Sequence, residues 1–206
     1  MKLEAERKLS GALYHLKRME KFYLKEDEPF IYELEAFLVK VRGALDALLW
    51  DFNVKFKLGF KEEDRVDFKN FMLRACELGN EEALEFIKWW KEVFSKLRGS
   101  KFGFLFDKRN IAVHKKRVKP NLIQVQVTES LSILDSVTVT VYDKSGRMKE
   151  NIEIGSGHRP SAGLRTSVEV GWFFKDYPGE DVLTLCWEFY NKVCEVVKVA
   201  KEKFDP

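Results

Sequence analysis

Histidine occurs three times, as His15, His114 and His158, and only His114 stands among other groups suited to phosphate chemistry. It closes the segment Asp107-Lys108-Arg109-Asn110-Ile111-Ala112-Val113-His114, five positions after Arg109. An imidazole exchanges a proton near neutral pH, and a guanidinium is a permanently charged, planar fork that fits phosphate oxygens. From 108 to 119 the chain carries Lys108, Arg109, Lys115, Lys116, Arg117 and Lys119 and no acidic side chain, a local charge that attracts phosphates. The plainer reading of the lysines is a basic helix end complementing its own dipole. On one ideal helix, positions 109 and 114 stand about 140° apart. Their convergence therefore needs a helix end between them, the reach of the arginine, or a second copy of the chain. His15, beside Tyr14, reads as a surface or boundary residue. His158 lies in the glycine-bearing loop 155–163, which fits no phosphate-loop pattern and reads as a flexible connection. A small-molecule enzyme built on that loop is a third functional class, behind the two developed below.

The elements that must position this segment are mostly helices. Leu9, Ala12, Leu13, Leu16, Met19 and Tyr23 recur at three- and four-residue steps and predict a helix over about 3–25. Pro29, preceded by Glu26, Asp27 and Glu28, marks a second start. The helix expected over 29–56 carries Leu34, Leu38, Val41, Leu45, Leu48 and Phe52 in one stripe, widened by Phe37, Ala44, Leu49 and Trp50. Such a helix is central in a bundle. Glu35, Arg42, Asp46 and Asn53 fall on one narrow line of it, since steps of seven and four return to the same face. Polar groups on a largely buried helix need partners. One reading pairs Arg42 with Asp46 along a solvated edge; the other makes the line a functional groove.

A short helix is expected near 63–78, between Gly59 and Gly79, and another through Ala83, Phe86, Ile87, Trp90, Val93, Phe94 and Leu97, stopped by Arg98-Gly99-Ser100. Part of 101–117 reads as a shorter helix, with Gly103 counting against it. After Pro120 the period changes to two: Ile123, Val125 and Val127 alternate with polar residues, as do Val137, Val139 and Val141, and 152–154 and 167–174 add further strands. The last helix, about 180–204, has a full apolar face from Val182 to Phe204.

Composition narrows the class. The 206 residues suffice for one domain with a sizeable core. Net charge is only +3, so any case for a nucleic-acid partner must be local. Charged residues at 33% fit a salt-bridged, heat-tolerant surface. Cys76, Cys186 and Cys194 match no CxxC or zinc spacing and read as reduced, buried thiols, with no metal and no cofactor implied. The charged, helical N-terminus does not resemble a signal peptide, and no apolar run approaches a membrane span. Cytoplasm, with no membrane partner, is the expectation.

Arginine, four residues, then histidine, with asparagine directly after the arginine, resembles the RNxxxH motif of the HEPN superfamily. Glu35-Ala36-Phe37-Leu38, followed by Arg42 and Leu45-Asp46, is similar to the second helix of several HEPN-like families. The resemblance covers the helical parts, about two-thirds of the chain; the strand-forming stretch 120–177 departs from the minimal bundle and looks like an insertion. The implied fold is mainly α: an antiparallel HEPN-like bundle of four to five helices, with a small antiparallel β insertion before the last helix, in a single domain over 1–206.

Many HEPN proteins are metal-independent endoribonucleases whose active site forms where two subunits meet. The resemblance thus implies a homodimer, RNA as partner, and a toxin or defence role that would pair with a nucleotidyltransferase-type antitoxin. Its catalytic residues would be Arg109, Asn110 and His114, with Lys108, Lys115, Lys116 and Arg117 binding substrate and Glu35, Arg42 and Asp46 supporting them. Other HEPN-like proteins act as binding or dimerisation modules, so a non-catalytic nucleic-acid- or protein-binding module is the alternative. In that reading Arg109 pairs with Asp46 or Glu35, and His114 bonds a carbonyl at the helix end.

Overall fold

The computed structural model describes residues 3–114, 118, 120–129, 137–142, 148–154, 165–174, 177 and 180–204, with backbone alone at 111, 113, 114 and from 121 to 170. The chain gathers into two compact units, Met1–Val118 with Leu185–Pro206, and Lys119–Thr184. The sequence reads as one domain over 1–206, with the strand-forming stretch as an insertion within it.

The first unit is helical: α1 (Glu4–Phe22), α2 (Asp27–Phe56), α3 (Phe68–Glu77), α4 (Glu81–Gly99), α5 (Gly103–His114) and most of α6 (Val182–Phe204). The mainly-α class holds. The described residues form six helices, against the four to five of the implied bundle, and two of them start on caps from their own sequence. Asp67 Oδ1 accepts from the Asn70 amide at 3.0 Å and starts α3. Asn80 Oδ1 accepts from the Ala83 amide at 2.9 Å and starts α4, while its Nδ2 donates to the Phe56 carbonyl at 3.1 Å. α1 stops at Phe22, short of residue 25, where the chain turns through Leu24 at φ 56°. α2 starts at Asp27, two residues early; Pro29 sits in its first turn, where a missing N–H costs no intrahelical bond.

α2 is buried over much of its circumference, from Phe30 through Leu34, Leu38, Val41, Leu45 and Leu48 to Phe52 and Phe56. α1, α4 and α5 pack against it. Its C-terminal half meets the start of α4, where Phe52 stacks on Phe86 with ring centroids 4.1 Å apart. Phe204 of α6 sets its edge against both, at 6.0 and 5.3 Å. Since Lys55 bridges to Glu82 and Lys203 reaches Glu85, α4 runs antiparallel to both α2 and α6. α6 also lies antiparallel to α1: Trp187 Nε1 donates to Glu20 at 2.9 Å and Lys201 pairs with Glu6 at 3.0 Å.

The second unit is a four-stranded antiparallel sheet of order β3-β2-β1-β4, from β1 (Asn121–Glu129), β2 (Val137–Tyr142), β3 (Met148–Ile154) and β4 (Arg165–Phe173). Alternation in β1 and β2 is what a sheet with two unlike faces requires. In the register, Val125 pairs with Val141 and Val127 with Val139. Asp181 then ties the end of β4 to the start of α6. Its Oδ2 accepts from the Trp172 amide at 3.0 Å and its Oδ1 from the Leu183 amide at 2.9 Å.

Two carboxylates of α2 fasten α1. Asp51 accepts from the Glu4 and Ala5 amides at 2.9 and 3.0 Å, capping the start of α1 from the neighbouring helix. At the other end, half-buried Glu33 accepts from His15 Nδ1 at 2.7 Å and from Arg18 Nε at 2.5 Å. Burial pushes the Glu33 carboxyl up, but the hydrogen bonds and charges of His15 and Arg18 outweigh it and hold it below its ordinary value of 4.5. A carboxylate depressed on folding contributes stability above its unfolded pKa and loses it as pH falls through the folded value. Glu33→Gln is therefore expected to lower Tm at pH 7, with the gap to the parent narrowing as pH falls below about 4.5. Thermal melts at stepped pH check this; a gap constant across the range contradicts it.

Candidate functional site

The segment carrying Arg109 and His114 is α5, and a close approach of backbone sets where it starts. α4 ends at Gly99, and the Gly103 amide donates to the Ser100 carbonyl at 2.9 Å. A Cβ at Gly103 would overlap the Arg98 carbonyl oxygen. The glycine that weakens the helix reading of 101–117 is thus what allows α5 to turn back directly after α4. Leu105 and Phe106 are buried; Phe106 meets Phe94 at 5.4 Å and Phe189 at 5.6 Å. Those contacts turn the following residues outward: Lys108 and Arg109 are half-buried and Asn110 is exposed.

The four polar residues of the α2 line serve three different tasks. Glu35 Oε1 accepts from the Val118 amide at 2.7 Å and so anchors the chain just beyond α5 and the basic run. Arg42 Nη2 lies 2.9 Å from Asp46 Oδ1. The Arg42 guanidinium also sits 4.6 Å from the Phe94 ring centroid and 5.3 Å from that of Phe106, which joins α2, α4 and α5. Asn53, 5% exposed, donates to the Phe60 carbonyl and accepts from the Phe60 amide, both at 3.1 Å, stapling the loop after α2. Within this line Arg42 and Asp46 feel the charge of Arg109.

Arg109 Nη1 donates to Asn110 Oδ1 at 3.2 Å, while its Nε is buried with no hydrogen-bond partner among the described residues. Arg42 Nη1 is in the same condition. Burial lowers the Arg42 pKa from its ordinary value; Asp46 opposes this, and Arg109 and Arg98 add to it. Burial raises the Asp46 carboxyl, against the pull of Arg42 and Arg109. Among the described residues the site accordingly gathers the cations Arg42, Arg98 and Arg109 around Asp46. It can hold a phosphate oxygen, and with an imidazole brought to it, move a proton.

Arg109 and Asn110 thus share one site with Arg42 and Asp46, and Glu35 acts on the backbone beside it. The pairing of Arg109 with Glu35 does not form: Glu35 bonds the Val118 amide instead. His114 is the last residue of α5; its side chain, and Lys115, Lys116, Arg117, Lys119 and His158, lie outside what is described. Arg98 is a missed contributor, hidden because Arg98-Gly99-Ser100 reads as a helix stop; it approaches Asp107 at 4.0 Å. Phe94 and Phe106, which hold Arg42, read simply as core. His15 bonds Glu33 and is a boundary residue. Of the three cysteines only Cys186 is buried; Cys76 is exposed and Cys194 half-buried. Among the described residues no cluster of three or more His, Cys, Asp or Glu could hold a metal ion, and no helix is long and apolar enough to cross a membrane.

No protein-family model, curated protein or solved structure matches the chain.

Gly103→Ala forces a methyl group into the Arg98 carbonyl and is expected to cost about 2 kcal/mol or more. Gly99→Ala, with nothing within 4 Å of the added carbon, is the control expected to leave Tm nearly unchanged. Equal melting of the two variants contradicts the close approach.

Proposed function

We propose that the helical unit is a HEPN-like bundle with the stretch of about 120–177 inserted before its last helix, and that the protein is a dimeric, metal-independent endoribonuclease of toxin or defence type. The supporting observation is the state of Arg109: its guanidinium is bonded to Asn110, keeps a buried N–H without a described partner, and lies in a cation-rich junction. Arginine in that condition suits phosphate, whose oxygens take several N–H bonds at once. Helix order adds support, since the Arg–His segment occupies the short helix before α6 and packs on the central α2.

In this reading His114 takes the proton of a ribose 2′-hydroxyl, and the oxygen attacks the adjacent phosphorus. Arg109 stabilises the negative charge of the pentavalent phosphorane. The 5′-oxygen then leaves with a proton from a His114 imidazolium of either copy, so the products are a 2′,3′-cyclic phosphate and a 5′-hydroxyl. Asn110 orients the Arg109 fork. Because Arg109 and His114 stand about 140° apart on a continuous helix, two copies of the chain complete the site, each offering both residues.

The test is purified protein incubated with structured and unstructured RNAs in excess chelator, beside His114→Ala and a variant with Lys115, Lys116 and Arg117 changed to Gln. Cleavage leaving 2′,3′-cyclic phosphate ends, lost in His114→Ala by roughly 10²-fold or more, is the expected result. If folded dimers of every variant leave RNA intact, catalysis falls. If the Lys115/Lys116/Arg117 variant then binds RNA more weakly and with a flatter salt dependence, the non-catalytic binding module replaces it.

A further inference from the structure

Arg42 is surrounded as a cation-binding scaffold would surround it, yet it is incompletely answered. Phe94 and Phe106 fix its guanidinium from α4 and α5, with ring centroids at 4.6 and 5.3 Å. Its side chain is 21% exposed, while that of its partner Asp46 is 48% exposed, so the carboxylate is the solvent-facing end of the pair. Arg109 acts on the charge of both, and Arg98 adds a further cation. Among the described residues, Arg42 Nη1 and Arg109 Nε have no hydrogen-bond partner. One half-exposed aspartate, one turn along the same helix, is a weak answer to that much positive charge.

We infer that Arg42 and Arg109 form a phosphate site whose place is held by the Asp46 carboxylate, which gives way when a phosphate group binds. The ligand class is a phosphate mono- or diester, supplied either by RNA or by free phosphate and mononucleotides. The aromatic clamp keeps the Arg42 fork oriented in both states, so the exchange needs only Asp46 to swing into solvent. This inference rests on the assignment of Arg109 as the phosphate-facing group in the ribonuclease reading, and it adds Arg42 as a second phosphate contact and Asp46 as an internal competitor.

An internal competitor has a distinctive signature, because removing its charge strengthens binding. Titrations with inorganic phosphate and with an uncleavable 2′-O-methyl tetranucleotide, on the parent, Asp46→Asn and Arg42→Lys, read it directly, with Tm recorded for each. Asp46→Asn is expected to bind roughly three- to tenfold tighter. Arg42→Lys, which keeps the charge and loses the fork, is expected to bind about tenfold weaker. Gains with both probes assign the site to RNA phosphodiesters; a gain with inorganic phosphate alone assigns it to small phosphates. Unchanged or weaker binding by folded Asp46→Asn overturns the inference, since a merely structural ion pair moves Tm and not affinity. That failure beside RNA cleavage that His114→Ala abolishes leaves the ribonuclease standing. Conversely, tighter binding without any cleavage upholds the phosphate site and removes the enzyme.

Discussion

A polar side chain on a buried helix has to be answered by something, and α2 carries a line of them through the middle of the helical unit. Each is answered by a different part of the chain. Glu35 takes the Val118 amide, Arg42 takes Asp46 and two aromatic rings, and Asn53 takes both backbone groups of Phe60. Because these bonds have direction, they fix which turn of α2 meets which neighbour, something apolar packing alone leaves looser. The consequence for function is positional. α5 is held at its start by the Gly103 turn, along its length by Phe106, and beyond its end by the Glu35–Val118 bond.

That arrangement concentrates positive charge without a high overall charge. The net charge is +3, yet Arg42, Arg98 and Arg109 come from three helices to one junction. Elsewhere cations are matched locally: Lys96 with Glu92, Lys192 with Glu195, Arg74 with Glu77. Such exposed pairs contribute little stability and screen the surface. Among the described residues the matching at the α2–α4–α5 junction is incomplete, and an incompletely matched guanidinium held in place is the raw material of phosphate recognition.

Periodicity made much of the helical part legible. The stripe from Leu34 to Phe52 and the polar line from Glu35 to Asn53 both follow from 3.6 residues per turn, and the α2 found spans nearly the helix expected. The Arg42–Asp46 pair was also readable, being one turn apart. What periodicity cannot carry is which element answers a polar group: the Glu35–Val118 bond spans 83 positions of sequence. Phe94 and Phe106 look like any core aromatics until Arg42 is set between them. Gly103 reads as a helix weakener because the carbonyl it must admit belongs to the preceding turn. The implied bundle of four to five helices is smaller than the six found, although the pattern itself marks a stretch for each of them, the short α3 and α5 included.

The central claim is that Arg109 faces phosphate, and its guanidinium can be watched directly. Side-chain NMR of ¹⁵N-labelled arginine follows the Arg109 Nε–H as an uncleavable 2′-O-methyl RNA is added. The account requires that resonance to shift, and to exchange more slowly with water, in step with saturation. RNA that binds to saturation while the Arg109 Nε–H stays unmoved would contradict it.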